Sequence, residues 1–147
     1  LFDLIETDRK SNGPASAGCT ITGTPGIGKK YFGLYLLFYI RYNFPEATIV
    51  WQYNEKICYR FLPNDNVQKG DINLFDGTLN SPNNFLIVDA QALTFNYQAY
   101  MIQLTSRGER FNEAVKWPGF AKYFMPVWKL EEIIALWTLQ YKNKKNN

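Results

Sequence analysis

Gly23-Thr24-Pro25-Gly26-Ile27-Gly28-Lys29-Lys30 lies between the short β-branched run Ala17–Thr22 (AGCTIT) and the aromatic-rich run KKYFGLYLLFYIRYNF that begins at Lys29. The first run predicts a buried strand and the second a well-buried helix, apolar around most of its circumference and stopped near Asn43 by Pro45. Between them the residues satisfy G-x-x-x-x-G-K. Glycines at these positions let a backbone curl so that successive N–H groups cradle phosphate oxygens, and the helix that follows adds its positive end to the same anion. Lys29 is then expected to reach the phosphates as a mobile point charge. The candidate phosphate-binding residues are Gly23, Thr24, Pro25, Gly26, Ile27, Gly28, Lys29, Lys30 and Tyr31. An ordinary Gly/Pro turn before a helix is the plain alternative.

One position departs from the motif. A Ser or Thr hydroxyl after the lysine would ligate Mg²⁺ beside the phosphates, and this chain has Lys30. A protonated amine offers no lone pair and repels a metal, although its charge can stand in for part of the metal's.

Working outward, Ala47–Tyr53 and Lys56–Leu62 read as strands, with Asn54-Glu55 allowing a tight hairpin between them. Pro63–Asn84 is loop-like, with a short strand expected around Ile72–Phe75. Phe85-Leu86-Ile87-Val88-Asp89 is an apolar run closed by a carboxylate, the form of a central parallel strand whose acid holds Mg²⁺ in phosphoryl-transfer sites. Asp89 is therefore the candidate metal ligand, and Lys29 with Asp89 the candidate catalytic pair. Ala90 follows, so the Glu that activates water in many ATPases is missing.

Tyr100–Thr105 is the next strand, ending in Thr105-Ser106-Arg107, a candidate γ-phosphate sensor. Ser106 with Glu109 three residues on reads equally as a helix capping box for a polar helix over Arg107–Val115. Arg107 and Arg110 are candidate phosphate contacts or simply solvated. Phe124–Trp128 is expected to be extended and Lys129–Tyr141 an amphipathic helix, with Trp128 and Trp137 as core anchors. Trp51, Tyr53, Tyr59 and Phe61 alternate along the hairpin and read as packing residues, with stacking of one of them on a base as the alternative. The domain reading is an N-terminal segment and linker over 1–16, a core over 17–141 and a basic polar tail over 142–147.

Composition bounds the chemistry. In 147 residues there is no His, which excludes imidazole base catalysis and His-ligated metals, and two Cys are too few for a disulfide framework or a Cys-rich zinc site. The net charge of +3 gives no bulk-charge case for nucleic-acid binding. The longest apolar stretch, Tyr31 to Ile40, is about ten residues against the ~20 a membrane span needs. The chain opens on Leu1 rather than Met, which points to a piece of a longer protein. The fold expected is α/β, a P-loop NTPase-like three-layer sandwich with a mostly parallel central sheet and an inserted β-hairpin.

GTPGIGKK followed by YFGLYLLFYI, then ATIVWQ, FLIVDA, a Thr-Ser turn and YFMPVWKLEEI resembles the P-loop NTPase module of Crinkler-type effectors and the related retrotransposon hot spot proteins. The resemblance spans about Cys19 to Ile134. It implies a STAND- or AAA-related ATPase module using ATP and Mg²⁺, coupled in such proteins to a nuclease-like domain, with secretion and action in a host nucleus. It matches Gly23, Gly26, Gly28, Lys29 and Asp89 to family positions. Lys30 departs from it, and so does Arg107, where a Pro often follows the Ser. Two functions stay open: an ATP-binding module that hydrolyses slowly to switch or power a larger effector, or a degenerate scaffold for oligomerisation or partner binding. Nucleic acid enters only through other domains, and no membrane contact is expected.

Overall fold

The computed structural model describes residues 3, 7, 18–93, 96–106 and 116–139. The strands are β1 (Gly18–Thr22), β2 (Ile49–Gln52), β3 (Cys58–Phe61), β4 (Val67–Gly70), β5 (Phe85–Asp89), β6 (Tyr100–Thr105) and β7 (Phe120–Phe124). The helices are α1 (Lys29–Asn43), α2 (Asp76–Leu79), entered through a 3₁₀ turn at Ile72–Phe75, and α3 (Leu130–Trp137). All seven strands form one mixed sheet in the order β4-β3-β2-β5-β6-β1-β7. From β2 to β7 every pairing is parallel, while β3 and β4 extend the β2 edge as an antiparallel meander. The chain is thus α/β with a mostly parallel sheet, and the β3–β4 hairpin is inserted in sequence between β2 and β5.

Alternation along the strands sorts side chains to two faces. Ile21, Ile49, Trp51, Phe85, Ile87, Ile102 and Leu104 meet Leu36, Leu37 and Ile40 of α1. Val50, Leu86, Val88 and Met101 face the other way, onto Phe75, Leu79, Leu93 and Tyr97. Both faces are covered, so β1 and β6 have no exposed residue, and β5 has only its terminal Asp89 partly open. The link from β5 to β6 contains no helix among its described residues. No helix among the described residues is long and apolar enough to cross a membrane.

Several expectations are corrected. Helix α1 is not buried all round: Gly33, Leu36, Leu37 and Ile40 are buried, but Tyr31, Tyr35, Phe38 and Tyr42 are exposed. A helix laid on one sheet can bury only the stripe that faces it. The β2–β3 turn is longer than Asn54-Glu55, because the Tyr53 N–H donates to Ile57 O at 3.0 Å and the Asn54 side chain accepts from the Lys56 and Ile57 N–H groups. The strand expected at Ile72–Phe75 lies instead at Val67–Gly70, since Asp71 caps the following turn by accepting from the Asn73 N–H. The strand in this region is Phe120–Phe124 rather than a strand over Phe124–Trp128: the Met125 N–H still donates to Thr22 O at 2.7 Å, and Pro126 has no N–H to carry the ladder on. Trp128 and Trp137 are 44% and 57% exposed, and no residue of α3 is buried, so they are not core anchors. The expected helix over 107–115, most of the 1–16 segment and the tail over 142–147 lie outside the described residues.

Two outcomes follow for stability. A Cβ at Gly18 would run into the Phe120 ring and stand 2.6 Å from Met101 O, which is fixed backbone. Gly18→Ala should therefore cost about 2 kcal/mol in urea unfolding. Burial pushes the Cys58 thiol up to about 11, and burial with the Asp76 hydrogen bond pushes Tyr97 up to about 12. Both groups hold their protons longer folded than unfolded. Stability should thus be intact below pH 9 and fall as the pH rises toward these values, by up to about 1.4 kcal/mol per pH unit for each group. Urea titrations across that range check the slope.

Candidate functional site

The loop between β1 and α1 needs two left-handed residues, and both are glycine: Gly26 at φ +80° and Gly28 at φ +99°. An L side chain there would cost about 1–2 kcal/mol. Gly28 is the N-cap of α1, and no acidic side chain occupies the helix's first turn, so its positive end is not neutralised by its own sequence. Gly23 is pressed from outside, since a Cβ there would lie 3.0 Å from Met125 O. The loop is also tied across the fold by the Trp128 indole N–H, which donates to Ile27 O at 2.8 Å.

Lys29 begins α1 yet is only 8% exposed. Its ammonium turns back over the loop and donates to Gly23 O at 3.0 Å and Thr24 O at 2.8 Å. Burial lowers its pKa from the ordinary lysine value. Lys30 points elsewhere. Its Nζ lies 3.6 Å from Asp89 Oδ2 and 3.9 Å from the centre of the Tyr53 ring. A hydrogen bond with Tyr53 and, less strongly, the Asp89 charge raise its pKa.

Strand register brings the remaining groups to the same edge. Thr22 pairs with Thr105, and Asp89 with Leu104, so the carboxyl ends of β1, β6 and β5 are level. In open parallel sheets this edge is where ligands bind. There a cavity of about 280 Å³ opens between the loop and helix start (Gly26, Gly28, Lys29, Lys30, Tyr31) and the strand ends (Asp89, Ala90, Leu104, Ser106). A second, larger cavity of about 700 Å³ shares Gly26, Gly28 and Tyr31 with the first and continues over Phe32, Tyr35, Met125 and Trp128.

Most of the candidate residues thus converge. Gly26, Gly28, Lys29, Lys30, Tyr31, Asp89 and Ser106 line one cavity, with Gly23 and Thr24 behind Lys29. Thr105 is buried in β6, and Arg107 lies outside the described residues. Trp128 and Gln103 were not read from sequence as site residues, and Tyr53 only as one of four aromatics of which one could stack on a base. Tyr53 reaches the site from the β2–β3 turn, and Trp128 from beyond β7. Gln103 is fully buried, where its Oε1 accepts from the Thr20 hydroxyl and its Nε2 donates to Gln91 O at 2.9 Å, which steadies the segment after Asp89. A lone Gln inside YMIQLT was the available signal for it.

Mg²⁺ fits this arrangement poorly. Position 30 supplies an ammonium instead of a hydroxyl, and that ammonium already faces the carboxylate expected to hold the ion. Among the described residues no group of three or more His, Cys, Asp or Glu side chains is gathered to bind a metal.

Trp128→Phe keeps the ring and removes the Ile27 bond. It should lower stability by about 1 kcal/mol and speed hydrogen exchange across the loop, leaving exchange in β5 and β6 unchanged. No protein-family model, curated protein or solved structure matches the chain.

Proposed function

We propose that this chain is a nucleotide-binding module of the P-loop NTPase type, holding the phosphates of ATP in the 23–29 loop. The observation that carries the reading is the convergence of a loop with left-handed Gly26 and Gly28, a buried Lys29 and the Asp89 carboxylate on one cavity at the carboxyl edge of parallel strands. A phosphate entering that cavity meets the start of α1 and takes over the Lys29 donors now spent on Gly23 and Thr24 carbonyls. Neutral carbonyl acceptors give way to an anion, so hydrogen bonds charged only on the donor become charged on both partners and stronger. At about 280 Å³ the cavity suits phosphates rather than a whole nucleotide, and the adjoining apolar space beside Tyr31 and Trp128 is the natural place for a base.

Hydrolysis has less support. Among the described residues Asp89 is the only carboxylate lining the cavity, and it is engaged by Lys30, while the next residue, Ala90, has no basic group. A general base must reach its proton with a free lone pair. The module therefore binds nucleotide and turns it over slowly or not at all, acting on a larger effector through occupancy. The exposed aromatic side chains of α1 and α3 favour the companion reading, a scaffold for oligomerisation or partner binding.

Isothermal titration with ATP tests the reading. Lys29→Ala removes charge-assisted bonds worth about 1.5–3 kcal/mol, so affinity should fall roughly tenfold to a hundredfold. Circular dichroism would check that the variant stays folded. An unchanged affinity would sink the phosphate-loop assignment.

A further inference from the structure

We propose that the Lys30 ammonium, held between Asp89 and Tyr53, takes the place of a divalent cation, so that the site binds the triphosphate of ATP free of metal. The inference rests on the nucleotide-binding reading above and adds the form in which the ligand is bound. Nζ of Lys30 lies 3.6 Å from Asp89 Oδ2 while the same side chain lines the cavity. An ion bridging Asp89 to phosphate, directly or through water, would have to share that space with a like charge.

An ammonium has three donors and no acceptor. It can keep one donor toward Asp89 and turn the others to phosphate oxygens, the same bridge a metal makes between carboxylate and phosphate. Charge balance agrees. Lys29 and Lys30 together bring a charge of two where one lysine with a divalent ion brings three, and the positive end of α1 makes up part of the difference.

The surroundings hold Lys30 in place. The Tyr53 ring lies 3.9 Å beneath the ammonium, an attractive cation–π geometry. On its far side the stem borders a wholly apolar cavity among Leu34, Leu37, Trp51, Tyr59 and Phe61. Withdrawing a charged nitrogen into that space would strip its hydration without a partner, which is unfavourable. The stem packs there and the head stays at the site. Tyr53 is then a positioning residue, acting through Lys30.

The test is ATP titration of the wild type, Lys30→Ser, Tyr53→Leu and Lys29→Ala, each in excess EDTA and in excess Mg²⁺. The wild type should bind in EDTA at least as tightly as in Mg²⁺. Lys30→Ser, which restores the hydroxyl and removes the ammonium, should bind about tenfold or more weaker in EDTA and recover when Mg²⁺ is added. Tyr53→Leu should weaken binding in EDTA by a smaller factor and change nothing in the Lys30→Ser background. Lys30 is half exposed, so its replacement leaves the core intact. The proposal is overturned if wild-type affinity rises tenfold or more with Mg²⁺, or if Lys30→Ser matches the wild type in EDTA. Either result leaves the phosphate loop standing as long as Lys29→Ala still loses affinity. If Lys29→Ala binds as the wild type does, the underlying reading fails instead.

Discussion

The parallel ladder of β5, β6 and β1 is the constraint on which the rest of the molecule depends. These strands are covered on both faces, so their side chains can carry almost no polar chemistry along their length. Polar groups are displaced to the strand ends, and parallel pairing brings those ends to one edge. The register then decides which residues meet there. Thr22 opposite Thr105 and Asp89 opposite Leu104 leave the glycine loop, Asp89 and Ser106 around one cavity. A slip of one residue would turn Ile87 and its neighbours to the wrong face, so packing of the core also holds the alignment of the site.

At that edge three charges are arranged unequally. Lys29 is buried and donates to the carbonyl oxygens of Gly23 and Thr24, and its burial makes the charged form less comfortable than in water and its pKa lower. Lys30 is open to solvent and paired with a carboxylate and a ring. The first is a buried positive charge held by neutral acceptors, and the second brings a counter-charge to Asp89. The backbone beside Asp89 is unusual as well. Ala90 has φ +56°, a left-handed conformation that a residue with a Cβ adopts at some cost. Two bonds hold that segment in place, from the Ala90 N–H to Leu104 O at 2.8 Å and from the Gln103 amide to Gln91 O. Gln103 therefore lends a buried strand one polar task, and Thr20 completes its partners.

The outer surfaces of α1 and α3 have a different character. Tyr31, Tyr35, Phe38 and Tyr42 on one helix and Leu130, Ile133, Ile134 and Trp137 on the other are large apolar groups facing water. Near α3, Trp128 and Leu136 line the same cavity as Tyr31 and Tyr35, so part of this surface is continuous with the loop that Trp128 ties down. That indole bond joins the loop to the segment leading into α3.

Local chemistry made much of this legible in the sequence. The spacing of Gly23, Gly28 and Lys29, the apolar run closed by Asp89 and the bounds of α1 and β6 rest on short-range steric and hydrophobic rules, which act within a few neighbouring residues. What depended on distant partners was not legible. Periodicity cannot tell a helix packed on one sheet from one packed on two layers, so the exposed side of α1 looked like core. Pro126 and the Asp71 cap moved two strands, because backbone hydrogen bonding outranked β propensity there. The encounter of Lys30 with both Asp89 and Tyr53 joins three segments far apart in the chain, and it exists only because β2 and β5 are neighbours in the folded sheet. Sequence alone determined that a glycine loop, two lysines and a carboxylate would be present at strand ends. Only the tertiary structure decided that the second lysine faces the carboxylate, because strand order sets which ends are adjacent and strand order is not a local property.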